Sequence, residues 1–286
     1  MPSGNNVDAM LGDVIQQART VVVDEDIVLR SLTFDNANTY AVAGTGVITF
    51  EHVDAATGGH ANIDVTQGSH QFQTSVSLSS DTDVDVANGA MLMFNNVLEL
   101  GGNTLTKMGP GTVAINNQLN TGGGTINVME GTVSGSGIIG GDVVNDGGTI
   151  SPGNSPGIIA IVGNLTQSSN STLLMEIAGL ASSAHDVLSV GGVADLDGTL
   201  IVELLAGFQP AEGSEFELFQ FQTVSGEFDS IQLPPLSRQL QWDTSRLYVD
   251  GTISVVAVPE PGTSPGMWLG LVVFLRLGTL AAKRSE

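Results

Sequence analysis

Short runs of alternating apolar and polar residues dominate the chain between residues 20 and 256. Segments such as TVVVDEDIVLRSLTF and AMLMFNNVLEL contain alternating stretches of four to eight residues, separated by Gly, Asn or Asp. Alternation with a period of two is typical of β-strands that bury one face. No window of 12 or more residues in this region has the 3.6-residue period of an amphipathic helix. The pattern therefore predicts an all-β protein.

A three-residue phrase, Gly-Thr followed by an aliphatic residue, recurs along the predicted strands. It begins at Gly111, Gly124, Gly131, Gly148, Gly198 and Gly251, and a variant, Ser-Thr-Leu, begins at Ser171. Turn residues followed by β-branched residues at such spacing indicate a solenoid, in which each coil contributes two or three short strands. We therefore predict a parallel β-helix; the alternative is an ordinary β-sandwich. Near the N-terminus, the apolar residues from Met10 to Ala18 fit either a short helical cap or an extended first coil.

The character of the sequence changes at His185. From there to Val256 the strands are longer and richer in phenylalanine, which favours a C-terminal β module that covers the last coil. The chain then continues into prolines, an apolar run and a basic tip. We therefore predict a solenoid region over 1–184, a cap module over 185–256 and a sorting segment over 257–286.

The chain is strongly acidic. Thirty Asp and Glu side chains oppose eight Lys and Arg side chains, and no basic residue lies between Lys107 and Arg238. Nucleic acids are excluded as partners because several cations of the protein would have to neutralise their phosphates. The lack of cysteine excludes disulfides and thiolate ligands for metals. Metal cations, calcium above all, are more natural partners for such a surface.

Rows of acids are the candidates for chemistry. In DTDVDV, Asp81, Asp83 and Asp85 are expected on one face of a strand, where crowded carboxylates favour Ca²⁺. A solvated acidic face is the simpler interpretation, since no Gly-rich calcium repeat surrounds them. Acid pairs also allow a polysaccharide hydrolase, but aromatic platforms for sugars are sparse, and the basic residues that a lyase needs are not clustered. We therefore predict no catalytic residue and no cofactor.

The segment from Leu105 to Gly137 resembles the autotransporter-associated β-strand repeat. That pattern runs through leucine-threonine-lysine, Gly-x-Gly-Thr, an asparagine and a second Gly-Thr phrase; the matching residues here are Lys107, Gly109, Gly111, Thr112, Asn116, Gly123, Gly124, Thr125, Ile126 and Gly131. The resemblance implies a right-handed parallel β-helix of the kind found in bacterial surface passengers. The region from His185 to Val256 is similar to the tail that often follows such repeats in exported proteins.

The C-terminus resembles a PEP-CTERM sorting signal. The likeness rests on the motif Val258, Pro259, Glu260 and Pro261, on an apolar run over 267–282 that contains Trp268 and Arg276, and on the basic tip Lys283 and Arg284. As a helix this run would be about 24 Å long, slightly short of a full membrane span. Arg276 would make it a poor permanent anchor, because Arg at mid-bilayer costs about 2.5–3.5 kcal/mol. The resemblance implies a transient transmembrane helix that an exosortase-type enzyme processes during export.

Together these features predict an exported bacterial protein of the cell surface, outer membrane or extracellular matrix, with a structural or adhesive role. Exopolysaccharide is a candidate partner, as in a biofilm. The alternative is an extracellular polysaccharide-active hydrolase or lyase on the same fold. The first residues, MPSGNNVDAMLGDVIQQAR, lack the basic and apolar regions of a signal peptide. We therefore expect a true start upstream of Met1, or a fragment; a leaderless cytoplasmic protein is the other interpretation.

Overall fold

The computed structural model describes residues 2–4, 6–53 and 59–258. In these residues the chain forms thirty β-strands and one short helix, α1 (Leu247–Asp250). Most strands pair in parallel with the strand that follows one coil later along the chain. The paired strands form three columns, which we call the first, second and third faces, and the chain visits them in that order in every coil.

The strands of the three faces are as follows. The first face contains β1 (Asp8–Leu11), β4 (Ser31–Asp35), β7 (Ala61–Gln67), β10 (Thr82–Val86), β13 (Leu105–Met108), β16 (Thr125–Val128), β19 (Asp142–Asn145) and β22 (Leu165–Gln167). The second face contains β2 (Arg19–Val22), β5 (Tyr40–Ala43), β8 (Ser69–Phe72), β11 (Met91–Phe94), β14 (Thr112–Ile115), β17 (Thr132–Gly135), β20 (Thr149–Pro152), β23 (Thr172–Ile177), β25 (Thr199–Leu204) and β28 (Ser230–Gln232). The third face contains β3 (Ile27–Leu29), β6 (Ile48–Phe50), β9 (Val76–Leu78), β12 (Leu98–Glu99), β15 (Gln118–Asn120), β18 (Ile138–Ile139) and β21 (Ile158–Ile161).

Two long strands complete the stack. The first half of β24 (Val187–Leu196) pairs with β21 on the third face, and its second half pairs with β22 on the first face. The strand β27 (Phe219–Gly226) pairs along both halves of β24, with a register shift between Val190 and Val193. The parallel ladders therefore continue across the predicted domain boundary at residue 184, and the last coils lie within the segment predicted as a separate module.

The core fills the space between the three faces, because alternate side chains of each strand point inward. In β4, for example, Leu32 and Phe34 are fully buried, whereas their neighbours are half-buried. Phe72 and Phe94 stack on successive coils with ring centroids 5.3 Å apart, and Phe34 meets Phe72 edge-on at 5.7 Å. Apolar columns of this kind bury side chains without requiring any helix.

Three strands form a separate antiparallel sheet beside the last coils. The strand β30 (Thr252–Ala257) pairs with β26 (Glu215–Glu217) on one side and with β29 (Leu240–Asp243) on the other. Phe216, Leu247 and Ile253 are buried beneath this sheet as part of the common core. The buried residues of this sheet thus belong to the same core as those of the parallel strands.

The all-β, mostly parallel and solenoid-like architecture predicted from the sequence is confirmed, and the β-sandwich alternative is wrong. The pairing of strands one coil apart decides this, because a sandwich would be built from antiparallel neighbours. At the N-terminus the extended alternative holds: Asp8–Leu11 is a strand that pairs with β4. The right hand of the coil stays a prediction, and the predicted C-terminal helix lies outside the described residues.

Candidate functional site

The predicted acidic row lies on the outside of the first face. In β10 the side chains of Thr82, Val84 and Val86 are buried, while Asp83 and Asp85 point outward. Asp81 precedes the strand, and its side chain Oδ1 accepts a hydrogen bond from the backbone N–H of Thr104 at 2.8 Å. The alternation along β10 therefore gives Asp83 and Asp85 a common face.

A fourth acid, Asp64, joins this row from the neighbouring coil. Asp64 in β7 is the ladder partner of Asp85 in β10, so the two residues are about 4.8 Å apart along the stack. Burial raises the pKa of Asp64 above its ordinary value, and the negative charges of Asp85 and Asp83 raise it further. The sequence analysis missed Asp64; the repeated pattern of an acid between aliphatic residues in IDV and VDV was the available signal.

The surroundings of the acidic row are partly basic. The Nδ1 atom of His60 lies 3.0 Å from Oδ1 of Asp83, and this hydrogen bond raises the pKa of His60. In the described ranges, no three His, Asp or Glu side chains are arranged to hold a metal ion. The described residues therefore add no support to the hypothesis that Asp81, Asp83 and Asp85 bind calcium.

Lys107, the first residue of the predicted repeat motif, points into the solenoid. Its side chain is fully buried. Its Nζ donates to the carbonyl oxygens of Met108 and Gly109 at 2.6 Å each and approaches that of Glu130 at 3.2 Å. Burial lowers the pKa of Lys107 to about 8. Lys107 thus ties the corner of its own coil to the corner of the next.

The glycines of the repeat motif allow the backbones of neighbouring coils to approach closely at the corners. Gly109 has a φ of +68°, and an added Cβ would collide with the side chain of Asp85 and the carbonyl of Val86. A Cβ added at Gly111 would collide with the carbonyls of Ala87 and Ala90. Gly124 stands immediately before Thr125, the first residue of β16, and is packed against the backbone of the previous coil. The motif residues therefore build corners.

A column of threonines runs along the outside of the second face. Each threonine begins a strand, and each is the ladder partner of the next on the following coil: Thr112, Thr132, Thr149, Thr172 and Thr199. Four of these belong to Gly-Thr phrases, and Thr172 belongs to the Ser-Thr-Leu variant. Two further phrases lie elsewhere, since Thr125 is on the first face and Thr252 is in the antiparallel sheet. Repeated sequence thus produces a row of half-buried hydroxyl-bearing side chains.

A chain of side-chain amides also crosses several coils near the end of the second face. The Nδ2 atom of Asn95 donates to Gln71 Oε1 at 2.7 Å, and that of Asn116 donates to Asn95 Oδ1 at 2.7 Å. Asn154 continues the chain, with Nδ2 3.2 Å from Asn116 Oδ1. Sequence reasoning singled out Asn116 as a repeat residue but missed this ladder, because the coils between its members differ in length.

The predicted sorting signal falls largely outside the described residues. Val258 is described, and its N–H donates to the carbonyl of Gln239 at 2.7 Å. Pro259, Glu260, Pro261, Trp268, Arg276, Lys283 and Arg284 lie beyond the described residues. Over the ranges 2–4, 6–53 and 59–258, no helix is long and apolar enough to cross a membrane.

Comparison with known proteins finds no family model that matches the chain and no matching curated protein.

Proposed function

We propose that the chain is an exported bacterial β-solenoid with a structural or adhesive role at the cell surface or in the extracellular matrix. The observation that carries the proposal is the continuous stack of parallel strands, which ends in an antiparallel module directly before the sorting-like segment. Nine ladder steps along the first face correspond to about 43 Å of rigid rod. Such a stack is stable through nearest-neighbour contacts and provides a long regular surface.

The direction of the chain supports attachment at one end. The first coil and the antiparallel module lie at opposite ends of the stack, and Val258 leaves from the module. A transient helix over 267–282 would therefore hold the rod by its capped end, with the first coil pointing away from the membrane. Lys283 and Arg284 would remain cytoplasmic, in keeping with the positive-inside rule. An exosortase-type enzyme that recognised 258–261 would then release or transfer the rod.

The outer surface suits a hydrated matrix. The threonine column and the amide chain supply hydrogen-bonding groups at the spacing of the coils, and the first face adds the carboxylates of Asp64, Asp83 and Asp85. Hydroxyl and amide side chains can hydrogen-bond the hydroxyls of an exopolysaccharide. The net charge of −22 disfavours direct binding to anionic polysaccharides, so we expect neutral chains or cation-bridged ones as partners.

A labelling experiment in the native host tests the location. The chain has no cysteine, so a single Gln222→Cys substitution on an exposed position of β27 provides one unique thiol. We expect a membrane-impermeant maleimide to label this thiol in intact cells. Replacement of Pro259, Glu260 and Pro261 by alanine should alter the anchoring or release of the labelled protein.

Ala114→Cys is the matched control, because Ala114 is 1% exposed and should react only after denaturation. Labelling of Gln222→Cys only after cell lysis would contradict the proposal. If the alanine variant is distributed between the cell and the medium like the parent protein, the sorting role of the motif is contradicted, whereas the surface location is not.

A further inference from the structure

Two methionines that are far apart in the sequence lie side by side on the first face. Met108 ends β13, and Met129 follows the last residue of β16. Lys107 is the ladder partner of Val128, and the N–H of Met129 donates to the carbonyl of Lys107 at 3.0 Å. The backbones at Met108 and Met129 are therefore about 4.8 Å apart along the stack. We call these two residues the methionine pair.

Both side chains of the methionine pair point into solvent. Met108 is 41% exposed and Met129 is 45% exposed, whereas their chain neighbours Lys107 and Val128 point inward and are fully buried. Met175 in β23 is the opposite case, since it lies fully buried in the core. Oxidation of a methionine requires contact between its sulfur and the oxidant. The fold therefore separates two accessible thioethers from a protected one.

Acidic side chains flank the methionine pair on both sides. Asp85 is the ladder partner of Met108. On the next coil, the N–H of Asp146 donates to the carbonyl of the residue before Met129 at 2.9 Å. Both aspartates are exposed, whereas Lys107 nearby is buried and directs its Nζ to backbone carbonyls. Negative surface charge lowers the local concentration of anionic oxidants and leaves that of uncharged ones unchanged.

We propose that the methionine pair is an oxidation site for hydrogen peroxide, which converts both thioethers to sulfoxides without loss of the fold. In each step the O–O bond of the peroxide breaks, and one of its oxygens forms an S–O bond with the methionine sulfur. The sulfur is oxidised by two electrons, and the peroxide is reduced to one molecule of water. The chain contains no cysteine, so no thiolate of its own competes for the oxidant. The proposal does not depend on export or on sorting.

The exposed position of the pair explains why oxidation leaves the fold intact. A sulfoxide is more polar than a thioether and disrupts an apolar core that contains it. At Met108 and Met129 the new oxygen is hydrated, whereas at Met175 it would be buried among apolar side chains. Oxidation confined to the pair should therefore leave the melting curve of the protein unchanged.

Peptide mapping by mass spectrometry tests the proposal on the folded full-length chain treated with hydrogen peroxide. Met10, which is 61% exposed, gives the rate of an accessible thioether in the same protein. We expect Met108 and Met129 to take up oxygen at rates within about threefold of that rate. Met175 should react at least about a hundredfold more slowly, because it becomes accessible only when the coils open. In urea, Met175 should react as fast as the pair.

The charge around the pair gives a second readout. Peroxymonosulfate, an anion, also transfers one oxygen to a thioether and leaves as sulfate. Relative to a free, uncharged methionine derivative, it should oxidise the pair about threefold more slowly at low salt, the effect of a surface potential of about 1 kT. Added salt should remove this difference, and hydrogen peroxide should show none. Asp85→Asn should reduce the slowing, whereas Asp229→Asn, at an exposed carboxylate between β27 and β28, should not.

Equal rates at Met175 and at the pair in the folded protein would overturn the proposal, as would a pair that reacts far more slowly than Met10. Melting of the Met10→Leu variant, with oxygen uptake confined to the pair, checks that the fold survives, and a lowered melting temperature would contradict this. Met108→Leu and Met129→Leu should each melt like the parent and take up one oxygen fewer. A rate with peroxymonosulfate that does not depend on salt would overturn the preference for an uncharged oxidant.

Discussion

Lys107 organises two coils with a single buried charge. Its ammonium donates hydrogen bonds to the carbonyl oxygens of Met108, Gly109 and Glu130, which lie close together at a tight corner. The cost of burying the ammonium appears as a lowered pKa of Lys107, about 8. The compensating stabilisation comes from the three hydrogen bonds that the ammonium donates to these carbonyls.

Replacement of Lys107 by methionine should therefore destabilise the protein, although methionine fills a similar volume. We expect a loss of about 2–4 kcal/mol in the free energy of unfolding, because hydrogen bonds from a charged donor contribute about 1.5–3 kcal/mol and methionine donates none. Urea denaturation measures this loss. Arg19→Met, at an exposed arginine of β2, is the control and should change stability by less than about 0.5 kcal/mol. Equal effects of the two substitutions would show that Lys107 is not a corner clamp.

Asp186 is a second buried charge, and it lies at the start of β24. Its Oδ1 accepts from the N–H of Gly157 at 2.7 Å and its Oδ2 from the N–H of Glu176 at 2.8 Å. Burial raises the pKa of Asp186 to about 7, in spite of these two bonds, and the negative charge of Glu176 contributes. Asp186 thus joins a corner of one coil to a strand of the second face.

The raised pKa of Asp186 predicts a specific pH dependence. Between its unfolded value of 3.8 and its folded value of about 7, the native protein binds more protons than the unfolded chain. The contribution of Asp186 to stability is therefore greatest below the lower value and declines as the pH rises through the upper one. Asp186→Asn removes the titrating group, so its stability should fall less than that of the parent from pH 4 to pH 8.

Thermal melting of the parent and of Asp186→Asn across this range measures the difference in slope. Parallel curves for the two proteins would contradict the titration of Asp186 in this window. This role of Asp186 could not be predicted from the sequence. The segment HDVLSV alternates like the start of any other strand, and only the fold brings the N–H groups of Gly157 and Glu176 to the Asp186 carboxylate.

At the scale of the elements, the threonine column explains what sequence periodicity captured and what it missed. The Gly-Thr phrase correctly marked a turn followed by a strand, at Gly131 and Thr132 for example. It did not give the register, because the spacing from one column member to the next changes from 17 residues (Thr132 to Thr149) to 27 (Thr172 to Thr199). Corners and loops of variable length absorb that difference, so only three-dimensional pairing aligns the strands.

The corner glycines provide a direct test of how closely the coils approach. Gly131 has a φ of +69°, and a Cβ there would collide with the carbonyls of Gly109 and Gly111 and lie 2.8 Å from Lys107 Nζ. Gly207 has nearly the same φ, +71°, but open space around it. Gly207→Ala should cost about 1 kcal/mol, the conformational penalty alone. Gly131→Ala should cost several kcal/mol more in urea denaturation, and equal costs would contradict the close approach of the coils.

We predict that one complete coil can be deleted without loss of the fold. Thr125 pairs with Asp142 one coil later, so deletion of residues 125–141 should join Gly124 to a strand that already occupies the right column. We expect a folded protein with one cooperative unfolding transition, since nearest-neighbour contacts dominate a solenoid. Deletion of 125–131 is the control, because it would place a second-face strand on the first face. Circular dichroism during melting compares the two, and a folded control beside an unfolded full-coil deletion would contradict the coil assignment.

At the scale of the whole molecule, the two ends of the stack differ. Met10 and Val22 in the first coil are each 61% exposed, whereas Phe216 and Val255 in the antiparallel module are fully buried. The sequence predicted a covering module from its richer phenylalanine content. The predicted module begins at residue 185, because the sequence there indicates long strands. In the structure, two of these strands, β24 and β25, continue the parallel ladders.

We propose that the acidic solenoid is exported and then sorted through its C-terminus. Mass spectrometry of both termini tests this most directly, on native protein from separated culture medium, envelope and cytosol. We predict an extracellular or envelope form that ends near Pro261. An intact form from Met1 to Glu286, confined to the cytosol, would contradict it.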